Sequence, residues 1–346
     1  VRAVVLEGSG TVAVREVPDP RVEDADDAIV RVTLSAICGS DLHFLHGKAP
    51  MEPGEPIGHE AVGVVERAGP SVTSVSEGDR VVVSFVIACG ACWFCRVGQT
   101  QLCEDFRNLG AGIFGGGLGG AQAEYVRVPH ADVNLLRVPG DVPDERAVFL
   151  GDVLTTGVYA AGSAGVGEGD VVAVVGAGPV GFFVAQAAKM LGAADVVVLD
   201  TEPDRLAVAE RVGASVVNVS ERHAQMALAD RTDGRGADVA IEAVGSADAF
   251  DAAVDVVRRG GVVVVVGMFT GESIEIPAGV FWARALDVRF AGICPVHAWW
   301  ERALEAVRSK AIVPDPIVSH RLPLDEAPNG YELFDSRRAT KVLLVP

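Results

Sequence analysis

The chain has 346 residues, 49% of them hydrophobic, a formal charge of −18 and an isoelectric point near 4.8. That length exceeds one ordinary core and points to two domains. A surface this acidic repels phosphate backbones and anionic lipid, which argues against nucleic acid and membranes as partners.

The opening stretch "VRAVVLEGSG" lacks the long apolar segment and small-residue cleavage site of a signal peptide. Apolar runs such as Val262–Val266 are too short to cross a bilayer. A soluble, cytoplasmic protein is expected, and its six cysteines are then free thiols or metal ligands rather than disulfides.

Up to about Pro139 the chain consists of short Val-rich runs: "RAVVLE", "VAVREV", "AIVRVTLSAI", "AVGVVERAG", "DRVVVSF", "AEYVRV" and "VNLLRVP". Gly, Pro and Asp punctuate them, as in a small barrel or folded sheet. "PDERAVFLGDVLTTGVYAAGSAG" then has helical spacing. After it, strand-like runs ("DVVAVVGAG", "DVVVLD", "ADVAIEAVG", "VVVVVG") alternate with helical ones ("PVGFFVAQAAKMLGA", "PDRLAVAERVGA", "ADAFDAAVDVVRRGG"). Continuous apolar strands between helices predict a parallel sheet covered on both faces. The tail supplies a helix in "AWWERALEAVRSK" and a last strand in "TKVLLVP".

Gly176, Gly178 and Gly181 follow the first parallel strand with G-x-G-x-x-G spacing and open a helix. In that context Gly176 permits a tight turn, Gly178 lets a pyrophosphate approach, and Gly181 lets helix and strand pack closely. Asp200 ends the next strand, 19 residues after Gly181. An acid there binds both adenosine ribose hydroxyls and repels a 2′-phosphate, favouring NAD over NADP. Arg205, five residues on, leaves some room for NADP. Val266 and Gly267 are expected to end a buried strand at the carboxyl edge, where such sheets bind ligands.

Cys89, Cys92, Cys95 and Cys103 follow C-x2-C-x2-C-x7-C. Four thiolates so close in sequence can enclose one tetrahedral zinc ion and leave no position open for substrate, the mark of a structural site. An iron–sulfur cluster also takes four cysteines, but the bacterial ferredoxin run closes with x3-C-P. Disulfides would need an oxidising compartment. Cys294 stands apart and reads as a small buried hydrophobe. "CGSDLHFLHG" and "GHEAVGVVERAGPSV" add Cys38, Ser40, Asp41, His43, His59 and Glu60, which sequence spacing alone does not join into a site.

In order and distance these motifs resemble the zinc-containing alcohol dehydrogenases of the medium-chain dehydrogenase/reductase family. Gly58–Val72 matches the family signature G-H-E-x2-G-x5-G-x2-V, and the cysteine lobe and glycine turn fall where the family has its structural zinc and its NAD(P). The resemblance implies an α/β chain with a GroES-like β-barrel catalytic domain (1–152 and 292–346, zinc lobe about 86–106) and a Rossmann doubly wound parallel-sheet domain (153–291). It implies two zinc ions per chain. Cys38 and His59 take the places of catalytic ligands, and Asp152 stands where many members have a cysteine; Glu60 is expected as an exchangeable ligand. Asp41 matches the residue that hydrogen-bonds the ligand histidine, and Ser40 and His43 match a proton relay through the nicotinamide ribose. Thr156, Pro179, Val180 and Val244 fall at cofactor positions, and Lys341 is expected to reach the pyrophosphate. Phe85, Ile113 and Phe114 are expected to line the substrate pocket. The implied reaction is hydride transfer between a primary or secondary alcohol and NAD(P), giving an aldehyde or ketone, in a homodimer or homotetramer. Polyol, threonine or formaldehyde dehydrogenation, or cofactor binding without catalysis, are the alternatives.

Overall fold

The structure, a computed structural model, describes residues 1–346 except Ser9 and Glu272, and of Phe114 only the backbone. The chain divides into two units: 1–155, 295–308 and 318–346 form the first, and 156–294 with 309–317 the second.

In the first unit β1 (Arg2–Gly8) and β2 (Thr11–Glu16) form an antiparallel ribbon. β3 (Ala28–Ala36), β4 (Glu60–Ala68) and β5 (Arg80–Val83) pair in succession, with β6 (Val86–Ile87) and β7 (Arg107–Asn108) in a small separate ribbon. β8 (Tyr125–Val128) pairs with β3, and β9 (Leu135–Arg137) with β5. Val30, Val32, Val65, Val81, Val83, Val126 and Val128 meet in one core, which explains the Val-rich alternation of this half. The run "VNLLRVP" is only partly strand: Ala131–Asn134 forms a helical turn before β9.

In the second unit β10 (Val171–Val175), β11 (Asp195–Asp200), β12 (Ser215–Asn218), β13 (Ala237–Glu242), β14 (Val257–Val265) and β15 (Asp287–Phe290) form a wholly parallel sheet in the order β12-β11-β10-β13-β14-β15. The order reverses between β10 and β13, the switch point where doubly wound sheets bind their ligands. β10 is buried throughout, as its unbroken apolar run requires. Helix Ala247–Val256 starts at Ser246, whose hydroxyl accepts the Ala249 N–H, and it buries Phe250, Ala253 and Val254. β14 ends at Val265, so Val266 and Gly267 lie in the turn beyond it, and both of their N–H groups bond the Glu242 carbonyl.

Helix Val296–Arg308 and the closing strands β16 (His320–Pro323) and β17 (Val342–Val345) return to the first unit, where β17 pairs with β3. Residues 309–317 do not: sequence assigns them to the first domain, but they pack with the second. Gln186 and Val313 hold them there through two hydrogen bonds, at 2.8 and 3.3 Å.

Candidate active site

Strand pairing brings the first site together. Ala36 of β3 faces Glu60 of β4 on one side and Leu343 of β17 on the other. The end of β3 therefore lies beside the starts of β4 and β17. Cys38 follows the first, His59 precedes the second, and Lys341 precedes the third. Asp152 arrives from elsewhere. The helical stretch expected over 143–165 is broken: a short helix (Asp144–Ala147) and a tight turn (Val148–Gly151) stop before Asp152, and helix Val153–Ser163 begins after it. The Phe85 N–H bonds the Gly151 carbonyl at 3.2 Å and pins this break beside β5.

Ligand atoms of Cys38, His59, Glu60 and Asp152 all lie within 4.8 Å of one another, and all four residues are buried. Asp152 Oδ2 is 3.3 Å from His59 Nε2 and 3.5 Å from Cys38 Sγ. Burial, then the Asp152 and Glu60 carboxylates, push the Cys38 thiol up to about 11. Burial alone would lower His59, but the Asp41 carboxylate, Cys38 and Asp152 together hold it well above its ordinary range. Three acidic groups packed this tightly in the interior call for a cation. A dication bound there would supply it in exchange for the protons, and S/N/O donors from Cys, His and Asp are a normal set for zinc. Glu60 Oε2 is buried without a hydrogen-bond partner, so one carboxylate oxygen is left for such an ion.

Ser40 stands at the same point, its Oγ 3.3 Å from Cys38 Sγ and 3.2 Å from His59 Nε2. His43 is half-buried on helix Asp41–Leu45. Asp41 is fully buried; its Oδ1 lies 3.2 Å from His59 Nδ1, and its Oδ2 accepts the Cys38 N–H at 3.0 Å. Phe85 is buried with its ring 6.0 Å from the His59 ring.

One expectation fails here. Lys341 does not reach for a pyrophosphate. Its ammonium is wholly buried in the first unit and donates to Glu60 Oε1 at 2.6 Å. Sequence spacing could not pair residues 281 apart. Ile113 is 73% exposed, and the Phe114 side chain lies outside the described residues.

Cys89, Cys92, Cys95 and Cys103 also bring their sulfurs within 4.8 Å of one another. The Cys89 N–H points at Cys103 Sγ (3.3 Å) and the Cys95 N–H at Cys92 Sγ (3.5 Å), donors that favour thiolate. Backbone N–H groups of Glu104 and Cys95 bring the Cys92 thiol down to about 6, whereas burial takes Cys95 up to about 12. His297 and Asn134, which sequence reading missed, anchor this lobe. His297 Nδ1 meets Thr100 Oγ1 at 2.8 Å and Nε2 meets Asn134 Oδ1 at 2.9 Å. Asn134 Oδ1 also accepts the Ala88 N–H, and its amide donates to the Ala88 carbonyl. An amide oxygen can only accept, so His297 carries its proton on Nε2 and takes one from the Thr100 hydroxyl on Nδ1.

The second unit holds the glycine turn. Gly176 has φ +102°, and a side chain there would strike Val244. A Cβ on Gly181 would sit 1.9 Å from the Gly176 carbonyl oxygen, whereas one on Gly178 meets nothing within 4 Å. Turn, tight packing and open approach thus fall to three different glycines, with Pro179 and Val180 starting the helix behind them. Asp200 ends β11, its Oδ2 accepting the Ala177 N–H of the glycine turn at 2.6 Å. Arg205 is half-buried on helix Pro203–Arg211, and Thr156 is buried on helix Val153–Ser163. Val244 is exposed in the turn after β13. Glu242, also missed, is fully buried and accepts the Val244 and Gly245 N–H groups at 2.7 Å each; burial raises its carboxyl.

The family model "Alcohol dehydrogenase GroES-like domain" matches residues 24–140, and "Zinc-binding dehydrogenase" matches 179–309. A zinc-type alcohol dehydrogenase-like protein of Bacillus subtilis is 37% identical, the match covering 100% of each chain. The chain belongs to the zinc-containing medium-chain alcohol dehydrogenases. Among solved structures, the alcohol dehydrogenase of Thermus sp. ATN1 is 43% identical with a TM-score of 0.96, over 100% of this chain and 99% of that one. A zinc-binding dehydrogenase of Sinorhizobium meliloti solved with NADP is 32% identical (TM-score 0.86, 100% and 99% covered). An Escherichia coli alcohol dehydrogenase solved with NADH is 27% identical (TM-score 0.87, 100% and 99% covered). The GroES-like and Rossmann architecture and zinc-dependent alcohol oxidoreduction follow from this membership. No helix among the described residues is long and apolar enough to cross a membrane.

Proposed function

We propose that this dehydrogenase holds its catalytic zinc on Cys38, His59 and Asp152, holds a structural zinc on the four clustered cysteines, and works with NAD. The observation that carries the reading is the convergence of buried thiol, imidazole and carboxylate donors from three separate stretches of chain. Held there, zinc would supply Lewis-acid activation of the alcohol, and a bound nicotinamide would supply the hydride acceptor or donor. The residues do the rest. Asp41 engages His59 Nδ1, so that Nε2 is the nitrogen turned toward Cys38 and Asp152. Lys341 holds Glu60 by Oε1 and leaves Oε2 as the exchangeable donor. Ser40, in contact with both Cys38 and His59, accepts the alcohol proton and passes it toward the half-buried imidazole of His43. Phe85 gives the site an apolar wall, which suits an uncharged alcohol or aldehyde.

Asp200 at the end of β11 supports NAD over NADP, since a carboxylate there repels a 2′-phosphate. A reducing, cytoplasmic setting suits cysteines that form no disulfide and keeps the clustered ones available to zinc. Assembly into a homo-oligomer is supported by the free edge of β15, where Phe290 is exposed in the same unit as Val280 and the 84% exposed Trp282. Metal analysis tests the central claim: about two zinc ions per chain are expected. Asp152→Ala should retain one and lose turnover across an alcohol panel with NAD, and unchanged activity with two zinc ions would defeat the assignment.

A further inference from the structure

Asp41 faces the metal site with one oxygen and is engaged on the other by a group no motif announces. Gln122, from the loop before β8, has 0% exposure. Its Nε2 lies 3.0 Å from Asp41 Oδ2 and 3.2 Å from the Ala36 carbonyl oxygen, and its Oε1 lies 2.9 Å from Tyr331 Oη. The two acceptors fix which end of the amide carries hydrogen, and the phenol must then donate to Oε1. Tyr331, on helix Ala327–Asp335, is itself buried, and burial together with Asp41 keeps the phenol protonated far above its usual range. A directed chain results: Tyr331 O–H to Gln122, Gln122 N–H to Asp41, and Asp41 against His59 Nδ1.

The chain also accounts for Gly58. That residue has φ +96°, and a Cβ on it would stand 2.3 Å from Gln122 Cγ. Its place immediately before His59 is filled by the stem of Gln122. The glycine of the G-H-E run thus makes room for the residue that orients the histidine's carboxylate.

We propose that Gln122 and Tyr331 are positioning residues of the catalytic metal site, fixing Asp41 so that His59 presents Nε2 to the ion. The proposal rests on the reading that Cys38, His59 and Asp152 hold zinc. A buried carboxylate with no donor on Oδ2 other than the Cys38 N–H would be free to rotate toward other partners. Gln122 removes that freedom, and Tyr331 removes it for Gln122 by satisfying the amide oxygen.

The test uses the full zinc-loaded enzyme and a zinc chelator. Zinc leaving the Cys38 site is counted against the four-cysteine zinc, which serves as an internal control for folding. Gln122→Leu should lower affinity at the Cys38 site by about 10-fold or more, the range seen when partners of ligand histidines are lost. Tyr331→Phe should lower it several-fold with the four-cysteine zinc retained, and it decides the question should Gln122→Leu fail to fold. Cobalt placed in the Cys38 site should show shifted ligand-field bands in both variants. A role confined to packing would lower the melting temperature and leave the cobalt spectrum and zinc affinity alone. Unchanged affinity and spectrum in Tyr331→Phe and in any folded Gln122→Leu protein would overturn the proposal. Cys38→Ser separates the two readings: if it also leaves the chelator-sensitive zinc unchanged, the ligand assignment fails and this proposal with it. If Cys38→Ser loses that zinc while the Gln122 and Tyr331 variants keep it, only the positioning role fails.

Discussion

Replacing Lys341 by Met leaves Glu60 as a carboxylate with no exposure and without the ammonium that bonds its Oε1. At 2.6 Å the two charges attract by about 6 kcal/mol with an effective dielectric near 20. Withdrawing each from water costs several kcal/mol, so the intact pair contributes little net stability. Removing one partner keeps the penalty and discards the attraction. Lys341→Met should therefore destabilise the first unit by about 3–5 kcal/mol. With a urea m-value of at most about 3 kcal/mol per molar, the midpoint should fall by about 1 M or more. The loss should depend on pH. Burial already raises the Glu60 carboxyl, and loss of the ammonium raises it further. The folded variant then binds a proton that the unfolded chain releases, so its deficit is small below the unfolded carboxyl value near 4.3 and grows as pH rises. Urea unfolding of the full chain at pH 5.5 and pH 8, with a zinc chelator present throughout, measures both effects. Lys341→Met/Glu60→Leu should recover most of the lost stability, because no lone charge remains. A single-variant cost under about 1 kcal/mol, or a double variant as unstable as the single, would refute the reasoning.

Two other outcomes follow from the same structure. Burial holds His297 down to about 4, against about 6.5 in an unfolded chain, so its contribution is complete above pH 6.5 and lost as pH falls through 4; His297→Gln should flatten the acid limb of the stability curve by up to about 3 kcal/mol and speed release of the four-cysteine zinc below pH 6. Asp200→Gly should raise the KM for NAD by about 10-fold or more while changing that for NADP far less, and equal effects on both would count against a ribose contact.

Wherever function depends on neighbours in sequence, it was legible. Four cysteines within 15 positions must meet because the chain between them is too short to hold them apart, and the Gly176–Gly181 turn declares its strand and helix by local conformation alone. Parallel strands announced themselves by unbroken apolar runs, since both their faces are covered. The proposed donors of the buried site belong to another class. Cys38, His59 and Asp152 were placed together only through a resemblance; residue types and spacing left them apart. Pairing of β17 with β3, and of β3 with β4, is what seats Lys341 against Glu60 rather than near a phosphate. Gln122 and Tyr331 carry no motif and lie 209 residues apart, yet one hydrogen bond joins them behind His59. Local sequence fixes conformation within a turn or two, whereas a buried charge or amide selects its partner from whatever the sheet register brings within 3 Å, and register is decided by the packing of the whole unit.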